Sequence, residues 1–208
     1  MTGPSVIERN QRAELAKAAR REEILAAARR VVAARGLRGT TIADMADEAG
    51  IALGTIYLYF SSKEAVFAAL SQQLHGLIAR ALTAVTGATS LDGVVRVRID
   101  HVFAACAENR DLVRLVMLNT DPGSEVAKSV RKADEAHEAP IVGIVERGMA
   151  DGLVRDADPA IMTKLVKGLV TIAVYEAFVV SDGTDADKYR DACTDMVLAY
   201  MRPASGAT

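Results

Sequence analysis

The stretch TTIADMADEAGIALGTIYLYFSSKE, residues 40–64, decides the fold of the N-terminal part of this chain. Thr41 can cap a helix whose third residue, Asp44, completes a capping box, in which each side chain bonds the other residue's backbone N–H. Gly50 suits the left-handed backbone position that ends many helices. A second short helix is predicted within LGTIYLYF, residues 53–60. The stretch therefore predicts two short helices joined by a tight glycine turn.

Longer helices are predicted on both sides of this pair. The preceding segment REEILAAARRVVAARG, residues 21–36, has apolar residues at helical spacing and ends in a glycine. After the pair, Ser61 and Glu64 form a second capping-box pattern that opens a long amphipathic helix. This order is that of a helix-turn-helix, in which the second helix of the pair is presented to the major groove of DNA.

The helical period divides the second short helix into two faces. Ile56 and Phe60 lie one turn apart, so we expect both to pack inward. Thr55, Tyr57 and Leu58 then point away from the packed face and are available to a partner. Helix-turn-helix corners also occur in proteins that never touch DNA, so the layout alone leaves the partner open.

A more specific resemblance comes from the order and spacing of individual residues. Residues from about 20 to 70 resemble the DNA-binding domain of the TetR family of transcriptional regulators. The matching positions are Gly36, Thr41, Ile42, Ala46, Ala49, Gly50, Gly54, Thr55, Ile56, Tyr57, Tyr59, Phe60, Lys63 and Glu64. A further segment, ERGMADGLVRDADP (146–159), resembles the linker between the seventh and eighth helices of these proteins.

The resemblance implies which residues contact DNA. Tyr57 and Tyr59 match tyrosines that donate hydroxyl hydrogen bonds to phosphates, and Lys63 matches a lysine at a helix N-terminus near the DNA backbone. Thr41 matches a residue whose hydroxyl approaches a phosphate. The full implied DNA-binding set is Thr40, Thr41, Leu53, Gly54, Thr55, Tyr57, Leu58, Tyr59 and Lys63.

The chain departs from the family pattern at three positions. Ala52 stands where many members have Ser or Thr, so the recognition helix lacks a side-chain cap. Leu53 and Leu58 stand where polar or basic residues are frequent. Because leucine can contact only apolar edges such as a thymine methyl, we expect a readout that depends on methyl contacts, phosphates and DNA shape. The alternative is that Leu58 packs against another part of its own domain.

Composition limits the remaining classes of function. Half of the 208 residues are hydrophobic, a quarter are charged and the formal net charge is −2, which is typical of a soluble globular protein. No apolar run is long enough for a membrane span, and the N-terminal charges are unlike a signal peptide, so we expect a cytoplasmic protein without a membrane partner. Cys106 and Cys193 are expected to be buried thiols.

The usual signatures of catalysis are not found in the sequence. Metal-ligand spacing of Cys and His, a glycine-rich phosphate loop and the nucleophile motif G-x-S-x-G are all missing. The histidines, His75, His101 and His137, are scattered along the chain. We therefore expect no enzyme activity, no catalytic residue, no metal and no cofactor.

Basic residues precede the first convincing apolar helix. They are Arg9, Arg12, Lys17, Arg20 and Arg21. A basic arm in front of a small helical unit attracts phosphates. The alternative is a solvated, frayed extension of the helix, since glutamates are interleaved with these residues.

The rest of the chain predicts an all-α protein with about nine helices. Alanine, leucine and valine dominate without β-branched alternation, and five helical segments follow the break at TGATS (86–90). Pro140 is expected to kink or interrupt the third of these segments, and Asp158 with Pro159 to open the fourth. The expected domains are a basic extension (1–19), a helix-turn-helix domain (20–66), an effector-binding and dimerisation domain (67–202) and a disordered tail (203–208).

Polar and polarisable groups within apolar stripes are candidates for an effector site in this second domain. They are His101, Phe103, Cys106, Met117, Asn119, His137, Tyr175 and Phe178. Each of them has an ordinary structural role as its alternative. The composition favours a largely apolar effector, and Arg96 and Arg98 either bind an acidic head group or lie in solvent.

The resemblance also implies a homodimer formed through the last two helices. The candidate interface residues are Leu165, Gly168, Leu169, Ile172 and Val197. The expected function is a dimeric, ligand-responsive regulator, by family habit a repressor, that binds a palindromic operator in double-stranded DNA and is released by a small apolar effector. The alternatives are a helical scaffold protein with a vestigial helix-turn-helix, and a DNA-binding regulator that responds to no effector.

Overall fold

The computed structural model describes residues 6–84, 86–119 and 125–203, and for Val6, Glu8 and residues 125–137 it describes the backbone alone. All regular structure in these ranges is helical, which confirms the predicted all-α class. The helices are α1 Val6–Arg35, α2 Ile42–Glu48, α3 Leu53–Ile56, α4 Lys63–Thr83, α5 Leu91–Glu108, α6 Arg110–Asn119, α7 Glu125–Ala150, α8 Pro159–Tyr175 and α9 Ala186–Met201, with a π-helical turn at Glu176–Val180.

Two compact units meet at the boundary between Leu70 and Ser71. In the first unit α1 packs on α2, and α2 packs on α3. Its core consists of Ile24, Leu25, Ala27, Ala28, Val31, Val32, Met45, Ala46, Ile56, Phe60, Val66, Phe67 and Leu70. These are the apolar stripes of the sequence, so hydrophobic periodicity alone accounts for the packing of this unit.

The predicted signals around α2 are confirmed. The Thr41 side chain accepts a hydrogen bond from the Asp44 N–H at 3.1 Å, and the Asp44 carboxylate accepts one from the Thr41 N–H at 2.8 Å. Gly36 and Gly50 have φ of 71° and 65°, the left-handed region in which a Cβ is unfavourable. The capping box and the two glycines thus set where α1 ends and where α2 begins and ends.

The cap of α4 differs from the prediction by one residue. The helix begins at Lys63, and the Ser62 Oγ accepts a hydrogen bond from the Ala65 N–H at 3.2 Å, so Ser62 rather than Ser61 is the capping residue. The pKa of Glu64 is lowered first by its own backbone N–H and next by the Ser62 hydroxyl. The expected Ser61–Glu64 box is therefore wrong, because Ser62 occupies the position whose side chain can reach the third N–H of the helix.

The basic residues of the N-terminal extension lie on the first helix. From Val6 onward α1 is continuous through to Arg35, and the side chains of Arg9, Arg12 and Lys17 are exposed. From Val6 onward the extension thus has the helical form expected of a solvated continuation of the first helix. Its use as a phosphate-binding arm stays a prediction.

The second unit is built from the part of α4 after Leu70 and from α5 to α9. Helix α9 packs on α5 and α8, and α7 packs on α8. Its buried core includes Val95, Ile99, Val102, Phe103, Cys106, Leu112, Val113, Leu115, Val116, Met162, Val170, Val174, Phe178, Cys193, Val197 and Leu198. Burial raises the pKa of the Cys106 thiol to about 12 and that of the Cys193 thiol to about 11, which makes both poor nucleophiles, as the expectation of buried thiols requires.

Prolines mark two places in this unit. Pro140 lies within α7, which continues through it, so the predicted interruption is wrong and the predicted kink stays a prediction. Asp158 caps α8 as predicted, since its carboxylate accepts from the Ala160 and Ile161 N–H groups at 2.9 Å each, and Pro159 is the first residue of that helix. The segment 146–159 covers the end of α7, the loop and the cap of α8, as its resemblance implies.

Replacing the capping serine of α4 tests the start of this helix. Ser62→Ala should lower the free energy of unfolding by about 1 kcal/mol, because a helix N–H loses its side-chain acceptor. The matched control Ser61→Ala should change it by less than about 0.5 kcal/mol, because Ser61 is exposed. Urea unfolding followed by circular dichroism measures both, and the reverse order of effects would place the helix start one residue earlier.

Candidate nucleic-acid interface and effector cavity

The outward face of α3 and of the turn after it is apolar and open to solvent. Leu53 is 45 % exposed, Tyr57 51 % and Leu58 78 %, whereas Ile56 is fully buried and Phe60 is 4 % exposed. At this exposure Leu58 is not buried by any described part of the chain, which argues against the alternative role in its own domain. An isolated, outward leucine beside a tyrosine is suited to contact with a partner.

The position of α3 depends on the packing of α2. Ala46 is buried and small, and its carbonyl accepts a hydrogen bond from the Ile51 N–H at 3.0 Å across the turn. The Arg30 Nε donates to Glu48 at 2.7 Å, and Arg35 donates to Asp44 at 2.8 Å, so two ion pairs join α1 to α2. Exposed pairs of this kind stabilise little individually, but they orient α2 on α1.

The charge of Asp44 is favoured by its surroundings. The pKa of this carboxyl is lowered first by hydrogen bonds from the Thr41 hydroxyl and backbone N–H, and then by the charge of Arg35. The Thr41 hydroxyl donates to Asp44 at 2.6 Å and remains exposed at the start of α2. It therefore lies at the surface where the resemblance implies a phosphate contact.

The other residues of the expected DNA-binding set differ in how far they are exposed for contact with DNA. Thr40 is 1 % exposed and its hydroxyl donates to the Gly36 carbonyl at 2.8 Å, so its place in the set is wrong: the side chain closes a turn of its own unit. Lys63 is half-buried and its Nζ donates to the Leu37 carbonyl at 3.2 Å. Thr55 and Tyr59 are half-buried, and Gly54 is exposed.

One contact of this unit was not expected from the sequence. The Arg21 guanidinium lies over the Phe60 ring, 4.9 Å from its centroid. A cation above an aromatic ring is attracted by the ring's negative face. This contact ties the basic part of α1 to the inward side of the helix-turn-helix.

A cavity of about 470 Å³ lies among α5, α7, α8 and α9 of the second unit. Most of its lining is aliphatic: Leu82, Leu91, Val94, Val95, Ile99, Ile141, Ile144, Val145, Leu153, Val154, Val166, Val170, Val197 and Met201. The charged side chains in the lining are Arg98, Arg147, Lys167 and Asp151. Its size and its mostly apolar wall are those of a site for a small molecule.

Arg98 is the unusual member of this lining. Its Nε is buried and has no hydrogen-bond partner among the described residues. Burial and, next, the charge of Arg147 lower the pKa of Arg98, although an arginine remains charged at neutral pH. By contrast, the Lys167 Nζ is paired with the Glu138 carboxylate at 3.2 Å.

The expected ligand residues do not form this cavity. His101 is exposed, Cys106 is fully buried, and Phe103 packs on Phe178 with 5.8 Å between the ring centroids. The remaining described candidates, Met117, Asn119 and Tyr175, also lie outside the lining, and the side chain of His137 is outside the described residues. None of the described candidates lines this cavity, because burial within an apolar stripe does not show which helices leave a space between them, although Phe103 and Phe178 line a second, more polar cavity.

Arg96 and Arg98, whose roles the sequence left open, have different environments. Arg98 faces the cavity, whereas Arg96 is exposed and lies 3.6 Å from the Asp195 carboxylate. They differ by two positions on α5, which places them on different sides of a helix. A basic residue three positions after the buried Val95 was the one signal in the sequence for the charged wall of the cavity.

Some of the expected dimer residues are exposed in the structure and one is buried. Leu165 and Ile172 are 56 % and 63 % exposed on α8, Gly168 between them is exposed, and Leu169 is half-buried. Val197 is 2 % exposed and lines the cavity, so its assignment to an interface is wrong. Its neighbour Met196, 57 % exposed, faces outward instead.

The described residues form neither a cluster of metal ligands nor a membrane-spanning helix. Within residues 6–84, 86–119 and 125–203, no three His, Cys, Asp or Glu side chains are grouped so as to hold a metal ion. No helix in those ranges has the length and apolar character required to cross a bilayer.

Comparison with known proteins supports the helix-turn-helix assignment. The family model described as bacterial regulatory proteins, tetR family, matches residues 24–70. An uncharacterized HTH-type transcriptional regulator, YvdT of Bacillus subtilis (strain 168), is 35 % identical over 98 residues, which are 45 % of this chain and 49 % of that protein. The match thus spans about half the length of this relative. HTH-type transcriptional repressor KstR2 of Rhodococcus jostii (strain RHA1) is 29 % identical over 76 % of this chain and 79 % of that protein.

Solved structures share the fold over most of the chain. The transcriptional regulator FadR from Bacillus subtilis, in complex with stearoyl-CoA, has a TM-score of 0.75 and 19 % identity, covering 86 % of this chain and 98 % of that chain. The fatty acid degradation regulator FadR from Bacillus halodurans has a TM-score of 0.75 and 20 % identity, covering 86 % and 94 %. At these identities the likeness is one of fold. The relatives found are transcriptional regulators, which agrees with the expectation that the chain is not an enzyme.

Substitutions of Ile56 and Leu58 test which of the two side chains packs in the core and which lies in solvent. Leu58→Ala should change the free energy of unfolding by less than about 0.5 kcal/mol, because the side chain is already in solvent. The matched change Ile56→Ala should cost about 2–5 kcal/mol, because it leaves a cavity in the core. Urea unfolding measures both, and a large loss in Leu58→Ala would show that Leu58 packs within the protein.

Proposed function

We propose that this chain, whose residues 24–70 match the family model of bacterial regulatory proteins of the tetR family and whose fold is similar to that of solved TetR-family regulators, is a dimeric repressor that binds a palindromic operator. In this proposal a small, largely apolar effector binds the cavity of the second unit and releases the DNA. A regulator of chromosomal genes acts in the cytoplasm of a bacterium. The observation that carries the proposal is the outward face of α3, with Leu53, Tyr57 and Leu58 in solvent within a matching domain.

Recognition of DNA by this face combines positioning and readout. The Tyr57 hydroxyl and the N-terminus of α4 are suited to phosphates, which position a protein but carry no sequence information, whereas the Thr41 hydroxyl already donates its proton to Asp44. Leu53 and Leu58 reach base edges only through apolar contact, and in the major groove the thymine methyl is the apolar group. The proposed specificity therefore depends on thymine positions and on DNA shape rather than on hydrogen bonds to bases.

The dimer is supported by an apolar face on α8 and α9. Ile161, Leu165, Gly168 and Ile172 follow one another at helical spacing along α8 and are all exposed. Met196 adds an exposed apolar side chain from the adjacent α9. Exposed apolar surface of this extent is typical of a protein interface. A two-fold dimer presents two recognition helices to successive major grooves, about 34–36 Å apart, which explains a palindromic operator.

The effector is supported by the cavity and by what is known of relatives. FadR from Bacillus subtilis has been solved with stearoyl-CoA, and KstR2 is described as a repressor. The cavity of about 470 Å³ distinguishes this proposal from a regulator that responds to no effector. The scaffold alternative with a vestigial helix-turn-helix shares the exposed Leu53 and Leu58, which could also contact a protein partner, so selective binding of duplex DNA is what separates the two.

Selection of bound duplexes from a random pool tests the proposal directly. The regulator should enrich a palindrome, and the affinity for it should fall steeply with salt because phosphate contacts release counterions. If no duplex is enriched, the regulator proposal fails and the scaffold alternative gains. Addition of apolar ligands to the complex then separates an effector-responsive regulator from one that responds to none.

The selected operator allows a test of readout at α3. Leu58→Ala should weaken binding mainly to operators that have thymine at the facing position, by about 1–3 kcal/mol per contact at most. Tyr57→Phe should weaken binding by a similar factor at every sequence, because a phosphate contact is lost. Tyr200→Phe, in the second unit, is the control. Equal losses in Leu58→Ala at all sequences would argue against a thymine contact.

A charge placed on the α8 face tests the dimer. Ile172→Glu should convert the dimer to a monomer, because a carboxylate would be buried without a partner at the interface. Leu118→Glu, at a similarly exposed leucine on α6, should leave the dimer intact. Sedimentation velocity measures both, and a dimer that tolerates Ile172→Glu would contradict this interface.

A further inference from the structure

The side chain of Arg98 brings a charge into a mostly aliphatic cavity, whose lining also includes Arg147, Lys167 and Asp151. It projects from α5 among residues such as Val94, Val95 and Ile99, and its Nε is buried without a hydrogen-bond partner among the described residues. A second guanidinium, that of Arg147 on α7, lines the same cavity and is near enough for its charge to act on Arg98.

Two like charges at one wall are unfavourable in the empty protein. A partly buried arginine is normally paired with a carboxylate, because removal of a charge from water costs several kcal/mol unless a partner compensates it. No described carboxylate lies within ion-pair distance of either guanidinium. Lys167, the other cation of the lining, already has Glu138 as its partner. The unmet requirement for negative charge is therefore local to Arg98 and Arg147.

We infer that the cavity binds an amphiphile, an apolar chain with one anionic head group, and that the head group pairs with the guanidinium groups of Arg98 and Arg147. The inference rests on the proposed function in identifying this cavity as the effector site. The aliphatic wall takes the apolar chain, and the two planar guanidinium groups supply directed donors that match a carboxylate or a phosphate. A neutral apolar molecule fills the same wall but leaves both charges unpaired.

Binding of such a ligand acts on the helices that carry the proposed dimer face. The cavity is lined by Val166 and Val170 of α8 and by Val197 and Met201 of α9. The exposed residues Leu165, Ile172 and Met196 lie on the other sides of these two helices. A ligand that shifts α8 or α9 therefore changes the surface through which two protomers would meet, which is a physical route from effector to operator.

Titration calorimetry on the DNA-free protein tests the inference, with dodecanoate as the anionic probe and dodecanol as its neutral counterpart, both below their aggregation limits. Calorimetry is suited to this chain because it contains no tryptophan for intrinsic fluorescence. Dodecanoate should bind more tightly than dodecanol. In Arg98→Met, which keeps the apolar volume, dodecanoate should bind about 10- to 100-fold more weakly, because a charge-assisted hydrogen bond is lost, while dodecanol should bind as before.

Arg96→Met is the matched control. It removes the same charge two positions away on α5, outside the cavity, and should leave the affinity for dodecanoate unchanged. Arg98→Lys keeps the charge without the planar pair of donors and should give an intermediate affinity. The unliganded Arg98→Met protein should melt at the same temperature as the parent or higher, because a partly buried guanidinium whose Nε has no described partner has been removed.

The possible outcomes separate the inference from the function on which it rests. Equal affinity for dodecanoate and dodecanol, or equal losses in Arg98→Met and Arg96→Met, would overturn the inference. Dodecanoyl-CoA distinguishes a free carboxylate from the phosphates of a carrier: tighter binding of the thioester, with the same dependence on Arg98, supports the inference and identifies phosphate as the head group. If neither anionic probe binds, the inference is wrong. If a probe binds through Arg98 but does not release the selected operator, the inference stands and effector-dependent release fails.

Discussion

The burial of Ile56 and Phe60, one helical turn apart, is the constraint on which the DNA-facing surface depends. Once these two side chains enter the core, the helical period leaves Tyr57 and Leu58 no direction except outward. The turn at Gly50 and the small side chain of Ala46 allow α3 to approach α2 closely enough for that burial. The exposed leucine is thus a consequence of the same packing that forms the helix-turn-helix.

The second unit shows the opposite arrangement, in which a polar group lies where packing would favour an apolar one. Helix α5 buries Val95, Ile99 and Val102, yet the neighbouring Arg98 turns toward an aliphatic cavity. The buried Nε of such a residue loses water without gaining a described partner, which is unfavourable for the empty protein. Conflicts between local preference and global fold are typical of functional sites, and this conflict coincides with the space available to a ligand.

Much of the fold was predictable because its signals are local. The Thr41–Asp44 box, the glycines that end α1 and α2, and the Asp158 cap each depend on residues within one turn of each other. The wrong predictions concern features that depend either on the rotation of a helix about its axis or on contacts between residues far apart in the sequence. Ser61 and Ser62 have equal capping propensity, so only the register of α4 decides between them. Val197 and Met196 are one residue apart, about 100° around α9, and only the packing of α9 on α5 and α8 decides which faces inward.

The sequence by itself determined the helical class, the helix-turn-helix and the resemblance of its N-terminal domain to the tetR family, because each follows from spacing along a single stretch of chain, whereas the exposure of Leu58 was decided by the structure. The tertiary structure alone decided that Thr40 closes a turn instead of facing DNA, and that the cavity is lined by Arg98 rather than by His101 or Phe103. A cavity is the space that α5, α7, α8 and α9 fail to fill, so it is defined only when all four helices are in place.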